Sequence, residues 1–308
     1  METLPSLPRE AVLVVNAHSR RGEELFREAK ERLEAAGMKL LAAHAVRDPA
    51  QLEPKVREAV DSGAPMLILG GGDGTVSYAV DYLIGRPCVL ALLPLGTANS
   101  FARTLGLPLD LDGAIETIAG GARRRIDLGA INGDYFANSA AIGLSPLIGE
   151  GIPRSLKRWL GRLGYLLWAF WCLSRFRPFR LTVDDGGGRR SMWASEARIL
   201  NGRFHAGVEL AEEAALDSGE IIVQAVRGRR RRRLLWDWFA HFWKLPGRDE
   251  ADEEFRGARI EIETEPQMRI SIDGEVVAET PALVEAAHGA IEVAAPAEVA
   301  EVAEVAAP

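Results

Sequence analysis

The chain holds little that would staple it or carry it across a bilayer. Only two cysteines occur among 308 residues, Cys88 and Cys172, far apart in sequence. A disulfide framework and a cysteine zinc site are both excluded on that ground. Of the five histidines, His44, His205, His241 and His288 stand isolated, with no metal-ligand spacing and no Ser-His-Asp grouping around them. The longest nearly uncharged apolar run, Leu163–Leu173, is too short to span a membrane. The opening METLPSLPRE has no apolar core of the kind a secretory signal requires. These shortages predict a cytoplasmic protein, at most peripherally membrane-associated.

What is present is an ordinary globular composition, 47% hydrophobic and 26% charged, at a length that predicts two domains. The net charge of -7 hides an uneven distribution. Residues 152–180 carry seven Arg/Lys and no acid, and residues 227–248 carry eight Arg/Lys and one acid. Six of the seven tryptophans fall in the same stretches: Trp159, Trp168, Trp171, Trp236, Trp238 and Trp243. Arginine mixed with tryptophan suits a boundary between water and something anionic and oily. It also suits nucleic acid, or simply an amphipathic core helix with a solvated basic face.

The first 127 residues alternate between strand and helix patterns. Apolar runs at Ala11–Asn16, Leu40–Val46, Met66–Leu69 and Val89–Leu93 read as strands. Gly22–Ala36, Gln51–Ser62, Thr75–Ile84, Ala98–Leu105 and Leu111–Ala119 read as helices. Such alternation predicts a mainly parallel sheet covered on both faces, with ligands at the carboxyl ends of its strands. Beyond Asp127 the pattern becomes short strands at 126–142, 178–184, 190–201, 219–226, 257–264, 268–273, 281–286 and 289–294, interrupted by a helix at 152–175 and by the segment 229–243. This predicts a mainly antiparallel, β-sandwich-like second domain. The expected division is 1–127 for an α/β domain, 128–296 for a β-rich domain whose last strands have the option of returning to the first, and 297–308 for a low-complexity tail.

One strand runs straight into Gly70-Gly71-Gly72-Asp73-Gly74-Thr75. Glycines admit a bulky anion, and the following helix offers unpaired N–H groups to phosphate. No Lys-Ser/Thr follows, so this is not a Walker A loop, and Ser77 breaks a G-x-G-x-x-G pattern. Asp73 would repel phosphate directly and makes sense only if it orients a metal ion or a substrate hydroxyl. A second loop, Pro94-Leu95-Gly96-Thr97-Ala98-Asn99-Ser100, leaves the next strand, with Thr97 and Asn99 placed to cap a helix and reach a ligand. A third, Asn16-Ala17-His18-Ser19-Arg20-Arg21-Gly22, follows the first strand. Parallel strands deliver all three to one sheet edge.

In this order and spacing the loops resemble the diacylglycerol kinase catalytic domain, most of all that of bacterial soluble lipid kinases, with sphingosine and ceramide kinases more distant. Arg125-Ile126-Asp127-Leu128-Gly129 resembles that family's crossing into its second domain, Leu216-Asp217-Ser218-Gly219 its Leu-Asp-Asp-Gly turn, and Asp273-Gly274-Glu275 its late Asp-Gly-Glu. The resemblance spans roughly residues 10–295. It implies a two-domain lipid kinase architecture using ATP and Mg2+. Gly71, Gly72, Gly74 and Thr75 would hold phosphates, with Asn16, Ser19, Thr97 and Asn99 nearby. Asp73 would organise magnesium, and Glu275 would take the proton from a lipid hydroxyl. Asp217 is the remaining candidate ligand for a structural magnesium, since Ser218 replaces the second aspartate of that turn. Read without the family, Asp273-Gly274-Glu275 is an ordinary hairpin turn.

The resemblance further implies a membrane lipid substrate and an anionic membrane surface as partners, with no nucleic acid; a homodimer is left open. The 227–243 segment is expected to dock on anionic lipid and the 155–175 helix to wall an acyl-chain pocket. Two other readings stand beside this one: an NAD kinase-like enzyme acting on a soluble substrate, and a non-catalytic nucleotide- or lipid-binding regulator.

Overall fold

The computed structural model describes residues 6–18, 20–144, 147, 168, 170–172, 175–205, 208–209, 215–228, 253–272 and 275–297. The helix expected over 152–175 is therefore described only at its end. The segment 229–243, Ser19, Asp273, Gly274 and the tail beyond Ala297 lie outside the described residues.

The chain divides into two compact units. The first takes Met1–Leu128, Gly202–Ser218 and Ala287–Pro308; the second takes Gly129–Asn201 and Gly219–Ala286. Residues 202–218 and 287–308 thus fall with the first unit.

In the first unit, β1 (Glu10–Asn16) leads to α1 (Arg20–Ala35), β2 (Lys39–Val46), α2 (Leu52–Asp61), β3 (Met66–Gly71), α3 (Asp73–Leu83), β4 (Val89–Pro94), α4 (Ser100–Thr104), α5 (Leu111–Gly120) and β5 (Ala122–Ile131). β1 pairs in parallel with β2 on one side and β3 on the other, and β3 pairs in parallel with β4. The order 2-1-3-4 makes β1 and β3 the place where successive crossovers leave in opposite directions, the switch point at which such sheets bind ligands. β3 (MLILGG) and β4 (VLALLP) are buried almost end to end, as strands covered on both faces must be. Leu13, Val15, Met66, Ile68, Ala91 and Leu93 pack with Ala29 and Leu33 of α1 and Ile115 and Ile118 of α5.

The second unit contains β6 (Asp134–Phe136), β7 (Ser139–Gly143), β8 (Phe179–Asp184) and β9 (Arg189–Leu200). The short pair β10 (Phe204–His205) and β11 (Val208–Glu209) follows in the first unit. β12 (Ile221–Arg227), β13 (Glu253–Gly257), β14 (Arg259–Glu265), β15 (Arg269–Ile272) and β16 (Glu275–Glu279) complete the second, and β17 (Ala282–Ala295) ends the described chain. Pairing within this unit is antiparallel, β16-β15-β7-β9 and β9-β8-β14, with β12 and β13 added beside β9. Alternation is clean on β8 and β14, whereas β7, β9, β12 and β15 are buried on both faces over most of their paired length. Ile142, Ala197, Ile199, Val223 and Ile270 enter the core, where they meet Phe179, Leu181, Val183, Ile260 and Ile262 from β8 and β14. The opposite face carries Arg198, with cross-strand neighbours Ala141 and Gln224, beside Glu196.

Two expected elements come out differently. The segment 126–142 divides into three strands; the first break is the turn at Asn132 and Gly133, a turn signal in the sequence, where φ is positive (53° and 96°). Conversely, the segments 281–286 and 289–294 form one strand, β17. Its first half pairs antiparallel with β14 and its second half in parallel with β4. Gly289 reads as a break, and does adopt φ +57°. Its N–H is satisfied by the buried Asp127 carboxylate at 2.7 Å, so the strand bends and continues. His288 Nδ1 lies 2.9 Å from the same carboxylate.

β17 is also held to β5 through Glu292, which accepts from Arg123 Nε at 2.6 Å and from Arg125 at 2.9 Å. Burial alone would raise this carboxyl. Hydrogen bonds from Arg125 and Arg123 outweigh burial and hold it below its usual 4.5. A carboxylate depressed in the folded state contributes stability above its unfolded pKa and loses it as pH falls through the folded value. Glu292→Gln should therefore cost about 1–3 kcal/mol at pH 7. The difference from wild type should shrink as the pH drops below about 4.5. Urea unfolding of both proteins at pH 7 and near pH 3.5 checks this; an unchanged difference at the two pH values would contradict it.

Candidate phosphate-binding site at the switch point

The described part of the site is built where β1, β3 and β4 end. Val15 pairs with Gly70 and Gly71 with Pro94, so the three strands release their loops at one level. Asn16 Nδ2 lies 3.5 Å from Thr75 Oγ1 and bridges the loops of β1 and β3. Its Oδ1 accepts from the His18 N–H at 3.4 Å. His18 itself is exposed, with Nδ1 3.1 Å from the Arg47 carbonyl.

The glycine run divides by purpose. A Cβ on Gly70 would meet Val15 at 2.9 Å, one on Gly71 would meet Thr75 Oγ1 at 2.3 Å, and one on Gly72 would come 3.1 Å from the Gly96 Cα. From the other side, a Cβ on Gly96 would fall 2.5 Å from the Gly72 Cα, so the loops that follow β3 and β4 touch backbone to backbone. These residues are glycine because packing leaves no room. Gly74 differs: a Cβ there meets nothing within 4 Å, and its φ is not in the left-handed region. Glycine inside a helix costs roughly 0.5–1 kcal/mol relative to alanine. Gly74 thus accepts that cost with no neighbour demanding it, on the first turn of an 11-residue helix. Of the first-turn N–H groups of α3, that of Thr75 bonds the Gly72 carbonyl at 2.9 Å, whereas those of Asp73 and Gly74 precede the first intrahelical acceptor.

Asp73 has a role the sequence did not suggest. Its Oδ1 accepts from the Phe101 N–H at 3.1 Å. The aspartate thus caps the first turn of α4 from another helix, and its charge is directed at a helix N-terminus instead of at a phosphate. The expectation for Asn99 is corrected accordingly. Asn99 sits in the left-handed region (φ 49°, ψ 45°) and makes no side-chain cap. Its Oδ1 accepts from the Gly96 N–H at 2.9 Å while Nδ2 donates to the carbonyls of Pro94 and Gly96 at 3.3 and 3.0 Å. Buried and fully engaged, it shapes the loop and does not reach outward. Thr97 is exposed at the loop tip and Thr75 is buried beneath it.

Asp217 lies in the first unit with its carboxylate 2.7 Å from Arg124. Among the described residues, no group of three His, Cys, Asp or Glu converges as a metal site. Glu275 belongs to the second unit, where it opens β16 opposite Ile272; its side chain lies outside the described residues. Of the helix expected to wall an acyl-chain pocket, Trp168 packs on the core of the second unit, whereas Phe170 and Trp171 are exposed. Burial pushes the Cys88 thiol up to about 11 and raises that of Cys172, which leaves neither suited to nucleophilic chemistry.

The sequence reading missed Gly96 as the partner of Gly72, and Phe101 as the partner of Asp73. A signal was available: both glycine-containing loops directly follow adjacent parallel strands.

Comparison with known proteins agrees with this geometry. Residues 10–131 match the diacylglycerol kinase catalytic domain, and residues 139–295 match the YegS C-terminal NAD kinase beta sandwich-like domain. A probable lipid kinase YegS-like protein of Chromohalobacter salexigens is 31% identical over 269 residues, covering 85% of this chain and 86% of that one. The diacylglycerol kinase of Bacillus subtilis is 27% identical over 269 residues, covering 82% and 86%. A crystal structure of a diacylglycerol kinase from Bacillus anthracis superposes with a TM-score of 0.73 at 23% identity, covering 94% of this chain and 98% of that one.

Three substitutions test the packing of Gly96 and the cap supplied by Asp73. Gly96→Ala should destabilise the protein by about 1–3 kcal/mol, because its methyl group meets backbone that cannot yield. Asp73→Ala should cost about 1 kcal/mol through the lost cap, and Asp73→Asn, which keeps an acceptor oxygen, a fraction of that. Thermal melting of the three variants checks the order; an Asp73→Ala variant as stable as wild type would remove the capping role.

Proposed function

We propose, from the premise that the chain belongs to the diacylglycerol kinase catalytic-domain family and is a phosphotransferase, that it transfers the γ-phosphoryl group of ATP to the hydroxyl of a membrane lipid, diacylglycerol or a close relative. The observation that carries the nucleotide part is the bare first turn of α3 at Gly74, open at the switch point of the sheet. That space, together with the Asp73 and Gly74 N–H groups that precede the first intrahelical acceptor, suits a phosphate chain.

In this reading the phosphates lie along Gly72, Gly74 and Thr75. Asn16 fixes the side of the loop and Asn99 holds the facing turn in shape. Asp73 is a positioning residue that ties α3 to α4. Glu275 takes the proton from the lipid hydroxyl as its oxygen bonds to the γ-phosphorus; the bond from that phosphorus to the bridging oxygen breaks, and ADP departs. Transfer of this kind rests on positioning and charge neutralisation more than on covalent chemistry.

Magnesium enters with the nucleotide. The described residues build no closed cage for it, and the Asp217 carboxylate already faces Arg124. Magnesium is usually held by one or two carboxylates together with substrate phosphates, and Asp73, beside the glycine loop and using Oδ1 for Phe101, is the carboxylate that would hold it here. The ion would supply neutralisation of the phosphate charge. EDTA should therefore abolish turnover while leaving the melting temperature unchanged; a large loss of stability would instead indicate a structural ion.

The lipid acceptor draws on the names of the relatives and on the Arg/Trp stretches. Incubation with radiolabelled ATP, magnesium and a total lipid extract, followed by thin-layer separation, tests it directly. One new labelled lipid is the expected result. Label appearing only in NAD, supplied in parallel, would overturn the reading.

Gly74→Ala should fold at least as stably as wild type and bind ATP roughly tenfold more weakly, because its methyl group occupies the phosphate space. Glu275→Gln should lower turnover by about 10²–10⁴-fold with little change in ATP affinity. A drop smaller than about fivefold would return Asp273-Gly274-Glu275 to a plain hairpin turn.

A further inference from the structure

The second unit presents large apolar side chains to solvent. Phe170 is 60% exposed, Leu147 45% and Trp171 43%. Trp168 and Trp171, three residues apart on one helical face, stack with centroids 4.7 Å apart, and the Arg175 guanidinium lies 4.5 Å over the Trp171 ring. The stack therefore runs outward from the core: Trp168 packs against it, Trp171 covers Trp168, and Arg175 covers Trp171. Leu147 joins the same locus, because its carbonyl lies 3.7 Å from Cys172 Sγ. Arg177 and Arg180 are exposed as well. Arg180 is the cross-strand partner of Trp193, which is 46% exposed.

Along the chain the charge of this segment is of one sign, although Glu265 is the other cross-strand neighbour of Arg180. No acidic residue occurs from 152 to 180, in a chain whose net charge is -7. A solvated helix face of an acidic protein has no need of this segregation. Aromatic side chains flanked by arginines are matched to a surface that is anionic on the outside and apolar a few ångströms below. Among the described residues no helix is long and apolar enough to cross a membrane, so contact at this locus would be interfacial. Nucleic acid would use the arginines and the stacked rings, but would leave Leu147 and Phe170 without an apolar partner.

We infer that Phe170, Trp171 and Leu147, framed by Arg175 and Arg177, form an interfacial anchor that docks the second unit on anionic phospholipid, an inference that rests on the lipid acceptor proposed above. Docking of this kind delivers a soluble kinase to a substrate that stays in the bilayer. It assigns anchoring to the end of a helix that the sequence suggested as a pocket wall.

The test is flotation of the full chain, without ATP, on phosphatidylcholine vesicles containing from none to about 40% phosphatidylglycerol, at low and high salt. Wild-type binding should rise with phosphatidylglycerol and fall with salt. Phe170→Ser with Trp171→Ser should bind about tenfold more weakly at every composition, since each ring forfeits apolar burial. Arg175→Gln with Arg177→Gln should lose only the part that depends on anionic lipid and salt. Activity on detergent-dispersed lipid should stay at the wild-type level in both. Phe170→Ser alone, which leaves the Trp168–Trp171 stack intact, is the control if the double apolar variant melts early. Equal vesicle binding by wild type and all variants would overturn the anchor. A wild-type dimer that the Phe170 variant dissociates, with vesicle binding unaffected, would overturn it in favour of self-association. Composition-dependent vesicle binding by a wild-type protein that phosphorylates no detergent-dispersed lipid would leave the anchor standing and remove the lipid-acceptor reading alone.

Discussion

Gly72 and Gly96 meet backbone to backbone, and the shape of the switch-point site depends on that contact. A Cβ on either residue would enter space held by the other's main chain, at 2.5 Å in the tighter case. Because the two loops cannot separate without losing the contact, the ends of β3 and β4 behave as one piece. Asn99 then closes the loop after β4 with three hydrogen bonds, and Asp73 reaches across to hold α4. What remains open is the place where Gly74 carries no side chain. The opening is defined by what surrounds it, which is the usual condition for a preorganised anion site.

A second constraint operates at β17. This strand serves antiparallel pairing in one half and parallel pairing in the other, and a strand that changes partners has to bend. Gly289 supplies the conformation, and the buried Asp127 satisfies the N–H that leaves the ladder. A buried carboxylate is expensive unless it is hydrogen-bonded, and here its acceptor capacity is spent on the bend and on His288. Glu292 does comparable work one turn of sequence later by gathering Arg123 and Arg125. The acids and arginines of this region are therefore structural, although in sequence they resemble any charged loop.

Arginine serves a different purpose at Trp171. There the guanidinium lies on an exposed ring and not against a carboxylate. The same residue type closes the interior of the first unit and frames an apolar surface of the second. The difference lies in the neighbouring charge: carboxylates in one case, none from residue 152 to 180 in the other.

The sequence alone determined the strand–helix alternation of the first 127 residues, the change to antiparallel β-structure after it, and the three loops at one sheet edge. All of these follow from local periodicity and glycine placement, which need no knowledge of distant partners. It also determined where arginine and tryptophan concentrate. The tertiary structure alone decided which glycines pack and which is open, because that depends on contacts between residues 24 apart, such as Gly72 and Gly96. It showed Asp73 holding the first turn of α4 and Asn99 closing its own loop, partners that the local pattern does not give. It joined two expected strands through Gly289, since the acceptor for that N–H comes from Asp127, 162 residues away. Side-chain roles at a site are settled by which acceptor or donor lies within about 3 Å, and that distance is a property of the folded chain, not of its local pattern.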